Sequence, residues 1–231
     1  MRKFDVGYYP EFKLSENFPI PKELEERLKL AWNTYYDDFN EGCGDVLDEC
    51  TDVLYYFSDE VKWYSVEHKR YVYMALAFVY ASIPVIKRLR PEDDRPEKVL
   101  EIVDIWLKTE SPKIEEWADK LFPEISTRVG GSFLDECYNN LYNLLKILTA
   151  PNFASYFISD IIYDAFTGEW AGGNLEGKRD IFNWWLINVI PAAYHLQLPL
   201  TIRPVIWEFP LSSETVEMFA ERMEILESEE Y

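Results

Sequence analysis

The sequence is poor in the residues that build metal and redox sites. Its 231 residues include two histidines and three cysteines. His68 and His195 stand far apart in the chain, and no two cysteines form a CxxC pair, so no zinc-binding spacing is present. An odd number of cysteines and a start without an apolar export segment are typical of a reducing compartment. We therefore expect a cytoplasmic protein without a metal or another cofactor.

Glycine is also scarce, at nine residues, and its densest cluster lies between 167 and 177. A phosphate cradle needs either the lysine and hydroxyl of a P-loop or a GxGxxG fingerprint after a strand. Gly172 and Gly173 have neither pattern around them. This segment is therefore predicted to be an ordinary loop.

Aromatic residues, by contrast, make up 16% of the chain, and hydrophobic residues make up 48%. Apolar positions repeat at spacings of three and four along nearly the whole sequence, which is the period of amphipathic helices. The pattern predicts an all-α fold, an irregular multi-helix bundle or helical-repeat-like stack of about eight or nine helices. We expect a single domain over 1–231, with an extended arm at 1–20, a proline-rich strap at 198–211 and an acidic helix at 212–231.

The stretch from 67 to 108 is predicted to form the centre of the fold. Residues 71–86 are almost all apolar, and as a helix they rise ~24 Å. The run is shorter than the ~20 residues that a helix needs to cross a bilayer. A helix that is apolar on every side is normally buried in a protein core. Asp93-Asp94-Arg95-Pro96 then interrupts the pattern. Asp94 is a suitable N-cap and Glu97 has the spacing of a capping box, so a second helix is expected to fold back on the first.

The net charge of the chain is −19, and most of it lies at the two ends. Residues 1–60 hold 15 acidic and 6 basic side chains, and residues 212–231 hold 7 acidic and 1 basic. A field of this sign repels nucleic acid and membrane surfaces and attracts basic proteins. We therefore expect a basic protein partner. The alternative is that the acidity serves only solubility.

The predicted contact face lies where the first helix, about 21–39, gives way to a second helix that begins near residue 45. Carboxylates crowd this region, and tyrosines, which provide contact area at low entropic cost, lie among them. A solvated acidic face is the simpler interpretation. The predicted partner-binding residues are Asp37, Asp38, Glu41, Asp45, Asp48, Asp52, Tyr55 and Tyr56.

Two carboxylate patterns suggest catalytic alternatives. Residues 37–41 have the form DDxxE, which helical isoprenoid synthases use to hold magnesium diphosphate, but no second carboxylate motif follows late in the chain. Asp160 and Asp164 share one helical face, and either would support proton transfer if it met His195 in space. We expect no catalytic residues and treat a magnesium-dependent helical enzyme as the alternative function, with a helical scaffold as a further one.

The break at Asp93-Asp94-Arg95-Pro96, between an apolar helix and an amphipathic helix that contains Trp106, resembles an all-α immunity-protein family of bacterial polymorphic toxin systems. That family is associated with an Asp-x-Arg motif, which Asp93 and Arg95 match. The likeness spans residues 67–110. It implies a bacterial cytoplasmic protein that binds and neutralises a cognate toxin, often a nuclease. Asp93, Asp94 and Arg95 are expected to be structural residues of the motif.

Overall fold

A computed structural model describes residues 3–4, 11–38, 44–57, 60–111, 113–125, 133–167 and 175–202. This part of the chain is all-α apart from one pair of two-residue strands, as predicted. Residues 203–211 of the predicted strap and the predicted acidic helix at 212–231 lie outside the described residues. The elements, in chain order, are β1 (Lys3–Phe4), α1 (Lys22–Asp38), α2 (Gly44–Tyr55), α3 (Val66–Leu89), α4 (Arg95–Thr109), α5 (Ile114–Ile125), α6 (Phe133–Thr149), a 3₁₀ turn (Pro151–Phe153), α7 (Ala154–Thr167), α8 (Leu175–Trp184), a π segment (Trp185–Val189), α9 (Ile190–Tyr194) and β2 (Thr201–Ile202).

Helix α3 is the core helix that the apolar run predicts. Ser65 caps its start by accepting the backbone N–H of His68 at 3.1 Å, and Lys87 and Arg88 suit the negative end of its dipole. By length and composition α3 could cross a membrane. In the structure most of its side chains are buried, because α6, α7 and α9 pack around it.

Helix α4 folds back along α3, and side chains join the two helices at both ends. Lys87 of α3 forms an ion pair with Glu97 of α4 at 2.7 Å, and the rings of His68 and Trp106 lie 4.7 Å apart. The predicted capping box is wrong: Asp94 occupies the N-cap position but makes no capping bond through its side chain. Glu97 is turned toward Lys87, which is the stronger partner for a carboxylate than a backbone N–H.

The most extensive packing of α3 is against α6, a helix about sixty residues further along the chain. Apolar side chains fill most of this interface, and buried polar contacts lie among them. Asn140 of α6 donates to the hydroxyl of Ser82 at 3.0 Å, and that hydroxyl donates to the carbonyl of Phe78 at 2.9 Å. A buried polar pair of this kind is satisfied in one register only, so it fixes how the two helices slide against each other.

The C-terminal run differs from its predicted form. Helix begins at Leu175, inside the segment predicted as a loop, and α8, the π segment and α9 continue without a break to Tyr194. Pro191 follows the π segment closely; it lacks an N–H, and a widened turn is a common way to absorb such a defect. The start of the predicted strap is extended, and Thr201 and Ile202 pair in parallel with Lys3 and Phe4.

Candidate protein-binding surfaces

The predicted contact face is described in part. Residues 37 and 38 end α1, and residues 45 and 48 lie in α2. The side chains of Asp37, Asp38, Asp45 and Asp48, and the whole of Glu41, fall outside the described part of the chain. Asp52, Tyr55 and Tyr56 are described.

Asp52 and Tyr55 form the outward part of this face. They are three residues apart on α2, so they are neighbours on the helix surface. Asp52 is exposed, and Tyr55 keeps 53% of its surface accessible to solvent. The backbone carbonyl of Asp52 accepts a hydrogen bond from Arg27 of α1 at 3.0 Å, which fixes the position of α2 against α1. An acid and an aromatic ring are thus held side by side, facing solvent.

Tyr56, the third described member, is half-buried. Its ring stands edge-on to Phe57 at 5.5 Å, and the Arg27 guanidinium lies 5.8 Å from its centre. Burial, followed by the charges of Tyr194 and Glu23, raises the pKa of the Tyr56 hydroxyl. This side chain belongs to the α1–α2 contact more than to the outer surface.

Two ion pairs lie at the start of α1. Lys22 pairs with Glu26 at 3.3 Å, and Glu23 pairs with Arg27 at 3.7 Å, each one helical turn apart. Exposed pairs of this kind add about 0.3–0.5 kcal/mol to a helix. Among the predicted contact residues, Asp52 is the acid whose side chain the structure describes, and it is exposed on α2.

The Asp-x-Arg motif forms a nearly buried cluster at the start of α4. The Asp93 carboxylate accepts hydrogen bonds from the Arg95 backbone N–H at 2.9 Å and from the Arg95 Nε at 2.9 Å. Tyr138 of α6 donates its hydroxyl to the same carboxylate, and the Arg95 guanidinium lies 4.2 Å above the Tyr138 ring. The Asp93 and Arg95 side chains are only 7% and 16% exposed. The motif therefore fastens the start of α4 to α6.

The electrostatics of this cluster match its geometry. Burial acts to raise the pKa of Asp93, but the hydrogen bonds from Arg95 and Tyr138 outweigh it and lower that pKa to about 2. Burial and the hydrogen bond to Asp93 raise the pKa of the Tyr138 hydroxyl. Asp93 is thus ionised and Tyr138 protonated at neutral pH, which is the state in which each hydrogen bond forms.

His68 is a structural histidine with both ring nitrogens engaged. Nδ1 accepts the backbone N–H of Tyr64 at 3.0 Å, so Nε2 carries the proton and donates to the carbonyl of Ile147 at 2.7 Å. The ring is fully buried beside Trp106. Burial lowers the pKa of His68 to about 4, although the bond to Ile147 opposes that shift. The residue joins the turn before α3 to the end of α6.

The histidine and the two carboxylates of the catalytic alternative, His195, Asp160 and Asp164, have different neighbours in the structure. His195 donates from Nε2 to the carbonyl of Pro19 at 2.6 Å and so holds the segment before α1. Asp164 accepts from the Asn139 amide at 2.9 Å. Burial, and then the neighbouring Asp164 carboxylate, raise the pKa of Asp160. None of these contacts joins the histidine to either carboxylate.

Helix α7 carries an aromatic surface that the sequence pattern does not reveal. Phe153, just before α7, and Tyr156 and Tyr163 within it are 61%, 60% and 50% exposed. Together with Asp160 they follow one side of the helix, and we call these four residues the α7 stripe. In the sequence, these aromatic residues recur at spacings of three and seven. A buried helix face has the same spacings, so the sequence alone does not show that these rings are exposed.

Within the described ranges no three metal-ligating side chains come together to hold an ion. Searches against protein-family models, curated proteins and solved structures find no match to this chain.

Proposed function

We propose that this chain is an acidic, non-catalytic protein-binding protein that holds and neutralises a basic cognate toxin, as an immunity protein does. The observation that carries the proposal is the exposed pair of Asp52 and Tyr55 on α2. Tyrosine is enriched in the energetic centres of protein interfaces, because its ring buries a large area with few rotatable bonds. The adjacent carboxylate of Asp52 favours a partner that presents a positive charge at this point.

The mechanism begins with long-range attraction. A net charge of −19 accelerates the encounter with a basic protein and repels nucleic acid. Tyr55 then loses its remaining contact with water against the partner, and Asp52 pairs with a cation at the edge. If the toxin is a nuclease, its nucleic-acid groove is basic, and an acidic protein seated there excludes the substrate.

The Asp-x-Arg motif supports this proposal indirectly. Asp93 and Arg95 satisfy each other and Tyr138, so they have little surface left for a partner. In this proposal they keep α3, α4 and α6 rigid, while contact is made elsewhere. A rigid binding surface loses less conformational entropy when the complex forms.

The test uses the protein encoded beside this chain in its genome, purified as an inactive toxin variant. Calorimetry at 50 and 200 mM NaCl gives the affinity and its salt dependence for the wild-type chain, Asp52→Lys and Tyr55→Ala. We expect at least a tenfold loss of affinity for each variant, and a shallower salt dependence for Asp52→Lys alone.

Asp119→Lys is the matched control, since it makes the same charge change at an exposed site on α5. Its affinity should stay within about twofold of wild type, because long-range steering changes little with one remote charge. A neighbouring gene product that is not toxic, or that does not bind, overturns the immunity function. If neither Asp52→Lys nor Tyr55→Ala changes the affinity for the toxin, the α2 contact is wrong.

A further inference from the structure

The α7 stripe is exposed on a helix that is otherwise surrounded. Helices α2, α3, α6 and α8 all pack against α7, yet Phe153, Tyr156 and Tyr163 remain half exposed or more. From Tyr156 to Tyr163 the stripe rises about 10 Å along the helix axis. Three large rings in one row are uncommon on a surface that meets only water, because each leaves apolar area in contact with solvent.

A carboxylate stands in the middle of this row. Asp160 is four residues after Tyr156 and three before Tyr163. Within the described residues its side chain has no ion pair and no hydrogen bond. It is partly buried, and its charged neighbour is the carboxylate of Asp164. A partly desolvated carboxylate beside another one is stabilised by an external cation.

Elsewhere in this protein, an aromatic ring and a carboxylate together bind an arginine side chain. Arg95 stacks 4.2 Å above the Tyr138 ring while it binds the Asp93 carboxylate. One aromatic face and one carboxylate thus hold one guanidinium. The α7 stripe has the aromatic faces and the carboxylate of that arrangement on its outer surface.

We infer that the α7 stripe binds arginine side chains of a basic protein partner, with a guanidinium paired to Asp160 and stacked on Tyr156 or Tyr163. The inference rests on the proposed function in one respect, that the partner is a basic protein. Arginine fits better than lysine, because a planar guanidinium stacks on a ring while it donates to a carboxylate. A second copy of this chain fits poorly, since each copy carries a net charge of −19.

The test measures binding of octa-arginine and octa-lysine peptides to the full chain by calorimetry at 50 mM NaCl. We expect octa-arginine to bind more tightly than octa-lysine. The double variant Tyr156→Ala/Tyr163→Ala should lower the octa-arginine affinity about fivefold and change the octa-lysine affinity less than twofold. Asp160→Asn should lower both affinities about threefold. Leu30→Ala is the matched control, because it removes an equally exposed side chain from α1.

The outcomes separate this inference from the proposed α2 contact. Wild-type octa-arginine binding by the α7 double variant overturns the inference, whatever Tyr55→Ala does. A loss of octa-arginine affinity in the α7 double variant supports the inference, and the α2 contact is judged separately by toxin binding of Tyr55→Ala. Equal binding of the two peptides also overturns it, since charge alone would then explain the complex. A cooperative melting transition in every variant shows that each has folded.

Discussion

Tyr138 of α6 donates its hydroxyl hydrogen to the carboxylate of Asp93, 45 positions earlier, where α4 begins. The same carboxylate binds Arg95, and Arg95 lies over the Tyr138 ring. Each of the three side chains therefore contacts the other two. A break in the sequence that reads as a simple helix boundary is in fact a tertiary junction.

Tyr138→Phe should destabilise the fold by about 1–2 kcal/mol at neutral pH, because it removes a donor from an ionised, nearly buried carboxylate. The pKa of Asp93 should also rise from about 2 toward its usual value. Urea unfolding measures the first effect and carboxylate NMR titration the second. Tyr142→Phe on the same helix is the control, and an equal loss there contradicts a specific role for Tyr138.

Arg95→Lys should cost about 1–2 kcal/mol of folding free energy, because lysine cannot reproduce the two-pronged contact or the stacking on Tyr138. Asp94→Asn, at a 68% exposed neighbour that pairs with Lys98, should cost less than about 0.5 kcal/mol. Chemical denaturation compares the two. If Arg95→Lys keeps full stability but abolishes partner binding, the motif is a contact site and its structural assignment is wrong.

The buried state of His68 makes stability depend on pH. Its pKa is about 4 in the folded protein and near 6.5 in the unfolded chain, so between these values the unfolded state binds the extra proton. The His68 contribution is fully present above pH 6.5 and is lost as pH falls to about 4, a change of about 3 kcal/mol. Unfolding free energies measured from pH 4.5 to 7 should therefore decrease on acidification.

His68→Gln isolates this effect from the titration of carboxylates. The variant should be less stable than wild type at pH 7, since it loses ring packing against Trp106, but its stability should change less between pH 7 and 4.5. A difference between the two proteins that does not vary with pH would show that His68 does not carry the dependence.

Asp160→Asn should leave the melting temperature at pH 7 equal to or above that of wild type. The pKa of Asp160 is raised in the fold, so its charged form is disfavoured there, and its contribution to stability falls as pH rises. Calorimetric melting at pH 7 measures this. A clear destabilisation would mean that the carboxylate has a structural partner, and would remove the reason to assign it to a ligand.

Cys137 is buried in α6, and burial raises the pKa of its thiol. Iodoacetamide should therefore leave Cys137 unmodified in the folded protein and alkylate it in urea, because the thiolate is the reactive form. Mass spectrometry of tryptic peptides measures the extent. Rapid modification under native conditions would show that α6 opens readily from the core.

Local pattern determined the helices with the strongest periodicity. The apolar run at 71–86 was predicted to be a buried core helix, and it lies within α3, most of whose side chains are buried. Helix α1 was predicted over about 21–39 and found over Lys22–Asp38. These features need only the 3.6-residue period and the apolar content of each segment, which are properties of neighbouring residues.

The tertiary structure decided which side chain meets which. Spacing alone did not predict that α6 is the main neighbour of α3, that Asp93 binds Tyr138, or that His195 holds Pro19 in place of a carboxylate. Residue spacing also did not show that the rings of α7 are exposed whereas those of α3 are buried. The rows of both helices have the same period, and whether a face is buried depends on segments far away in the chain that pack over it.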